Sequence, residues 1–247
     1  ADKWQLSFNA TKCKVMHIGI TNPKEDYFMV QDGKNVALKS TAVEKDLGVH
    51  VDTLLKFDKH AELQANKANK LLGMIRRAFT HIDRDNMSML YKSLVRPHLE
   101  YGHAIAYPRL KKSELILESI QRRATRIIPE LKGLEYEDRL KALDLPSLYY
   151  RRDRGDMIEC YKMTHGYYDT DQILKLDNSD RNLRGHSFKL QMTQSTKNVR
   201  HHFFSIRVFT KWNALPEDVV SAPSLNAFKN QLDNNWKHLK YLTVIQA

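Results

Sequence analysis

The side chains best suited to chemistry in this sequence are arginines at helical spacing. In residues 113–129, SELILESIQRRATRIIP, Arg122 and Arg126 stand one turn apart and Arg123 lies on the flank. Guanidinium groups placed this way can grip phosphate oxygens with paired N–H donors. A second set, Arg151, Arg152 and Arg154, follows in LYYRRDRGDMIECYKM, with Tyr149 and Tyr150 beside it for packing or for stacking on a base or sugar. There Asp153 and Asp156 lie within a turn, so an internal network that neutralises the arginines competes evenly with phosphate binding. Arg122 and Arg126 have only Glu118 nearby and are the better phosphate ligands, whereas Arg123 is assigned to packing or pairing within the protein. Lys67, Lys70, Arg76 and Arg77 add cations along an earlier helical stretch.

A nucleotidyl-transfer centre also needs paired carboxylates to hold two metal ions. Asp83 and Asp85 bracket Arg84, but they sit where a helix needs an N-cap. Asp169 and Asp171 have no flanking apolar strand to fix them and read as solvated. The sequence contains no phosphate-cradling glycine loop, serine nucleophile elbow or His/Cys metal cluster. His201 and His202 form an isolated pair facing the surface or a nucleic acid. The chain therefore offers binding groups without a complete active site, and no metal or cofactor site of its own.

The elements that must position these groups follow from periodicity. In the opening stretch Ile116, Leu117, Ile120, Ala124, Ile127 and Ile128 gather on one helical face, with Leu115 on the wrong side. Ser113 is the expected N-cap and Pro129 the stop. Residues 1–52 are β-rich: strands either side of Asn9-Ala10-Thr11, a hairpin through Asp32-Gly33, and a strand over 43–52 with a bend at Gly48. From 57 to 79 the apolar step changes to three and four: Phe57, Ala61, Ala65, Ala68, Leu72, Ile75, Phe79. A helix from Asp83 or Asp85 ends at Arg96-Pro97. Further helices cover 136–143 and 148–163, the latter capped by Ser147 and closed at Gly166. A polar loop to about 196 carries Asp169, Asp171, Asp177 and Asp180. The last helices end at Pro216 and start at Ser224, with Leu225, Phe228, Leu232 and Trp236 on one face.

Net charge is +11 and the isoelectric point is near 9.5, which points to a polyanionic partner, nucleic acid before anionic membrane. Two cysteines, Cys13 and Cys160, make no disulfide framework, so an intracellular location, nucleus or cytoplasm, is expected. No apolar run approaches the roughly 20 residues of a membrane helix. The sequence opens inside what reads as a strand, WQLSFN, and is read as a piece of a longer polypeptide.

Taken in order, WQLSFNATKCKVMHIG, EKDLGVHVD, LYKSLVRPHLEYG, LESIQRRATRIIPEL, SLYYRRDRGDMIECYK and FFSIRVFTKWNALP resemble a non-LTR retrotransposon reverse transcriptase of the jockey-type LINE group. The resemblance spans nearly the whole chain. It implies an α+β, mostly α fold: the end of the polymerase palm over 1–52, a thumb-like helical region over 53–130, and a C-terminal helical region over 131–247 with a polar linker near 167–197. In that family Lys12, in FN-x-x-KC, would lie near the incoming nucleotide. Leu47, Gly48 and Val49 would form the primer-grip turn, and the thumb would hold an RNA template and DNA primer strand by their backbones. The family's metal-binding aspartates precede FN-x-x-KC, so this chain alone is expected to be inactive. Mg2+ and the fingers and remaining palm then belong to the parent polyprotein. Rival readings are a host-adopted, non-enzymatic nucleic-acid-binding or scaffold protein and a membrane-surface protein. Trp and Phe on core-like stripes argue against the membrane reading.

Overall fold

At the tip of the first hairpin Asp32 and Gly33 both take positive φ, 52° and 73°, the turn geometry that matches the twist of paired strands. They join β2 (Phe28–Gln31) to β3 (Lys34–Ala37), with Met29 opposite Val36. Leu47 and Gly48 repeat the device at φ 42° and 86°. The single strand expected over 43–52 is therefore a hairpin of β5 (Val43–Asp46) and β6 (Val49–Asp52). β1 (Lys14–Val15) runs parallel to β4 (Lys39–Ser40). The turn expected at Asn9-Ala10-Thr11 is present, with Asn9 Oδ1 accepting from the Thr11 N–H at 3.0 Å.

This computed structural model describes residues 8–168, 173–177, 185–192, 195 and 198–243. Of the strand expected before Asn9, only Phe8 is among them. The β-rich part contributes little core: within residues 8–52 its buried apolar side chains are Ala10 and Val49.

The chain enters α1 (Asp58–Ala78) through Asp52, whose carboxylate accepts the N–H groups of Leu54, Lys56 and Phe57. Ala61, Ala65, Ala68, Leu72 and Ile75 are buried as their spacing requires, while Phe79, just beyond the helix, stays exposed. Asp83 caps α2 (Arg84–Leu90) by accepting from the Asn86 N–H at 2.7 Å. This helix does not stop at Arg96-Pro97. It widens into a π-helical turn, Tyr91–Val95, and continues as α3 (Arg96–Leu99). Pro97 follows directly on the wider turn, in which the Arg96 N–H bonds Tyr91 O five residues back.

The opening helix is α4 (Lys111–Arg126). Ser113 is not its cap: the helix starts earlier, and Ser113, buried, donates from Oγ to Asp58 Oδ1 at 2.7 Å. Farther along, Arg123 Nη1 donates to Asn69 Oδ1 at 2.9 Å. α1 and α4 thus lie side by side and parallel, starts with starts and ends with ends. The buried face of α4 is broader than its apolar stripe, taking in Glu118, Gln121 and Thr125, while Ile116 is exposed. Each buried polar group finds a partner, as burial demands. Glu118 accepts from the Tyr136 hydroxyl and from the Leu148 N–H, and Gln121 Nε2 donates to Pro146 O.

α5 (Tyr136–Ala142) and α6 (Leu148–Thr164) form as expected, α6 under a Ser147 cap and with Gly166 at φ 71° beyond its end. Leu148 joins the first core, built on α1–α5, and Tyr150, Met157, Cys160 and Tyr161 join a second. The second core is closed by α8 (Phe204–Asn213), α9 (Glu217–Val220) and α10 (Leu225–Asn235), with Val208, Trp212, Phe228 and Leu232 fully enclosed. A single turn, α7 (Asn198–His201), precedes them. α8 ends at Asn213 rather than Pro216, and Ser224 caps α10 as expected.

The described part of 167–197 is no bare tether. Trp212 Nε1 donates to Phe188 O at 2.7 Å, Asn213 exchanges two hydrogen bonds with the Leu190 backbone, and Leu190 and His186 are buried. Asp169, Asp171 and Asp180 lie outside the described residues. Asp177 lies within them, and its N–H bonds Lys189 O.

Candidate nucleic-acid interface

Because α1 and α4 are parallel, their last turns meet. Between them and the chain beyond lies a cleft of about 590 Å³, with Arg76, Arg123, Arg126 and Lys132 around it and Leu72, Phe79, Ile82, Ile127 and Pro129 in its wall. The negative ends of two helix dipoles converge here, which itself favours arginine in the last turns. That local effect does not consume the charge. Among the described residues no carboxylate lies within ion-pair distance of these four side chains. Arg123 is aimed by its hydrogen bond to Asn69 and keeps its other N–H donors.

Arg126 lines the cleft. Arg122 does not: it is half-buried, with its guanidinium 4.7 Å from the centre of the Tyr136 ring. Arg123 pairs within the protein as expected, through Asn69, and also lines the cleft. The helical wheel could not decide between the two, because adjacent residues diverge by about 100° and the neighbouring helix sets which one opens to solvent. Lys132 carries no periodic signal that could have singled it out. On α1, Lys67, Lys70, Arg76 and Arg77 are all exposed, and Arg76 joins the cleft.

Arg152 is internal and Arg151 is half-buried. Arg151 pairs with Glu100, and Arg152 is 2% exposed, its guanidinium 3.7 Å from Glu114. Arg154 takes both oxygens of Asp233. Asp153 pairs with Lys211 and Asp156 with Arg207. The RRDRGD charges are thus neutralised, but by other elements and not by one another. Arg152 is enclosed, whereas Arg151, paired with Glu100, keeps a partly exposed side chain in a cleft shared with Arg154, Lys237 and Lys240. Burial raises the Glu114 and Asp153 carboxyls, with Arg152 and Lys211 respectively opposing it. Tyr150 is buried and donates to Asp233, and Lys211 lies 5.6 Å from the Tyr149 ring, so neither ring is set out for a base.

The hairpin tip at Leu47-Gly48-Val49 is fixed from behind. Tyr101 donates from its hydroxyl to Leu47 O at 2.7 Å, and buried His60 accepts the His50 N–H on Nδ1 while Nε2 meets Tyr101 O at 3.0 Å. That pattern selects the neutral imidazole protonated on Nε2, and burial, with His50 and Lys67 nearby, depresses the His60 pKa. Leu47 itself is 89% exposed. Lys12 is exposed in the Asn9 turn.

Among the described residues no three His, Cys, Asp or Glu side chains gather to hold a metal ion. No described helix is long and apolar enough to cross a membrane.

Over 137 residues the chain is 26% identical to an uncharacterized protein of Caenorhabditis elegans, a match covering 54% of this chain and 69% of that protein. No family model and no solved structure matches the chain.

Proposed function

We propose that this chain is the C-terminal part of a LINE-type RNA-directed DNA polymerase, binding the RNA–DNA template–primer by its backbone without performing the chemistry. The observation that carries this reading is the concentration of uncompensated cations, Arg76, Arg123, Arg126 and Lys132, at the joined ends of α1 and α4. The order of motifs supports it, as does the presentation of Leu47 at a braced hairpin tip ahead of those helices. In this reading residues 1–52 complete a palm, α1–α4 act as a thumb, and Mg2+ belongs to the parent enzyme.

Exposed Ile20, Val30 and Leu47 on the β-rich part favour a protein neighbour there, which in this reading is the rest of the palm. A non-enzymatic scaffold would use the same surface.

Binding of the purified chain to an RNA–DNA hybrid, followed against salt, tests the reading. Each neutralised phosphate should contribute roughly 0.7–0.9 to the log–log slope. A flat salt response overturns the electrostatic account, and primer extension by the chain alone overturns the assignment of chemistry elsewhere.

A further inference from the structure

The cleft between the ends of α1 and α4 is only half a phosphate site. Its cations stand beside an apolar wall of Phe79, Ile82, Ile127 and Pro129, and at about 590 Å³ it lies in the size range of small-molecule sites, far larger than one phosphate requires. A duplex backbone offers a ridge of phosphates and keeps its bases stacked inside, with nothing to lay against such a wall. An unpaired nucleotide offers both a phosphate and a base.

We propose that this cleft receives one unpaired nucleotide, its phosphate held by Arg123, Arg126 and Lys132 and its base laid against Phe79. The inference rests on the nucleic-acid reading above and narrows it to a splayed nucleotide beside the duplex. Phe79 is 45% exposed, which leaves ring surface for stacking. It sits in extended conformation just past α1. Arg123 is held by Asn69 through one nitrogen and is therefore pre-aimed.

The test compares three ligands of the full chain: a blunt RNA–DNA hybrid, the same hybrid with a single-stranded overhang, and that overhang carrying an abasic residue. The overhang should bind about tenfold tighter than the blunt hybrid, the effect of stacking one base, and the abasic form should lose the gain. Phe79→Ala should abolish the preference and leave blunt binding intact, Phe79→Trp should keep it, and Arg126→Gln should weaken all three ligands. Competition by a free nucleoside monophosphate, but not by inorganic phosphate, identifies any nucleotide as ligand; competition by overhang strands alone identifies a strand end. Both outcomes support the site. Equal binding of all three hybrids overturns it while leaving backbone binding standing. Failure to bind any hybrid removes both readings.

Discussion

Arg207 on α8 reaches Asp156 on α6 with both arms of its guanidinium, Nε to Oδ2 at 2.7 Å and Nη2 to Oδ1 at 2.8 Å. Nη2 also donates to Ala104 O, and the Tyr107 ring lies 4.7 Å away. The pair therefore fastens three stretches of chain at the junction of the two cores. At 4% exposure Asp156 has no solvent to replace a missing partner.

Arg207→Ala should thus cost about 3–5 kcal/mol, the usual consequence of stranding a buried charge. Asp156→Ala should cost less, because the Arg207 guanidinium keeps the carbonyls of Ala104 and His202. Urea unfolding of both variants checks the order. An Asp156→Ala variant less stable than Arg207→Ala would show that the carbonyl hydrogen bonds contribute little.

Much of the helical framework was legible in the sequence. Ser147, Ser224 and Asp83 cap the helices they precede, and the apolar stripes are buried from Ala61 to Ile75 on α1 and from Phe228 to Trp236 along α10. What one chain of letters does not carry is the partner of a charge. RRDRGD offers Asp153 and Asp156 within a turn of its arginines, yet every ion pair it makes crosses to another element, at Glu100, Glu114, Arg207, Lys211 and Asp233. Long-range packing outcompetes weak i, i+4 pairing once the helix is enclosed on several sides. The cleft was hidden for the same reason, since it exists only because α1 and α4 run parallel.

From this follows a separation of two arginine classes. Arg123→Gln combined with Arg126→Gln should lower the salt slope for an RNA–DNA hybrid by roughly 0.7–0.9 for each phosphate no longer neutralised, with little change in thermal midpoint. Arg151→Gln should do the reverse: it breaks the half-buried pair with Glu100, costs on the order of 1 kcal/mol, and leaves the salt slope unchanged. Measuring slope and melting for each variant decides the matter. A changed slope for Arg151→Gln would return phosphate binding to α6.

Acid should loosen the hairpin of β5 and β6. His60 is held neutral in the fold, its pKa depressed by burial below the ordinary value of about 6.5, so the unfolded chain binds more protons as pH falls. The stability this contributes is present above about pH 6.5 and is lost as pH falls through the lower folded-state value. His165 and His186, also depressed by burial, act in the same direction in the second core. Thermal midpoints between pH 8 and pH 5 should therefore fall, and His60→Gln should flatten part of that fall. An identical pH profile in the variant would remove His60 as a contributor.

Gly48 and Tyr101 are coupled at the hairpin tip. Gly48 sits at φ 86°, and a Cβ there would lie 2.6 Å from the Tyr101 hydroxyl oxygen, the atom that donates to Leu47 O. Gly48→Ala therefore meets two costs, about 1 kcal/mol for a left-handed backbone and a further steric cost against the Tyr101 ring, which must give up its bond to Leu47 O to move away. Tyr101→Leu removes the ring and the hydrogen bond, itself worth about 0.5–1.5 kcal/mol. In the Tyr101→Leu background the cost of Gly48→Ala should drop to the backbone term alone, a coupling that a double-mutant cycle reads directly. The same cost in both backgrounds would mean that Tyr101 does not brace the tip, and the hairpin would then owe its position to His60 and the Asp52 turn.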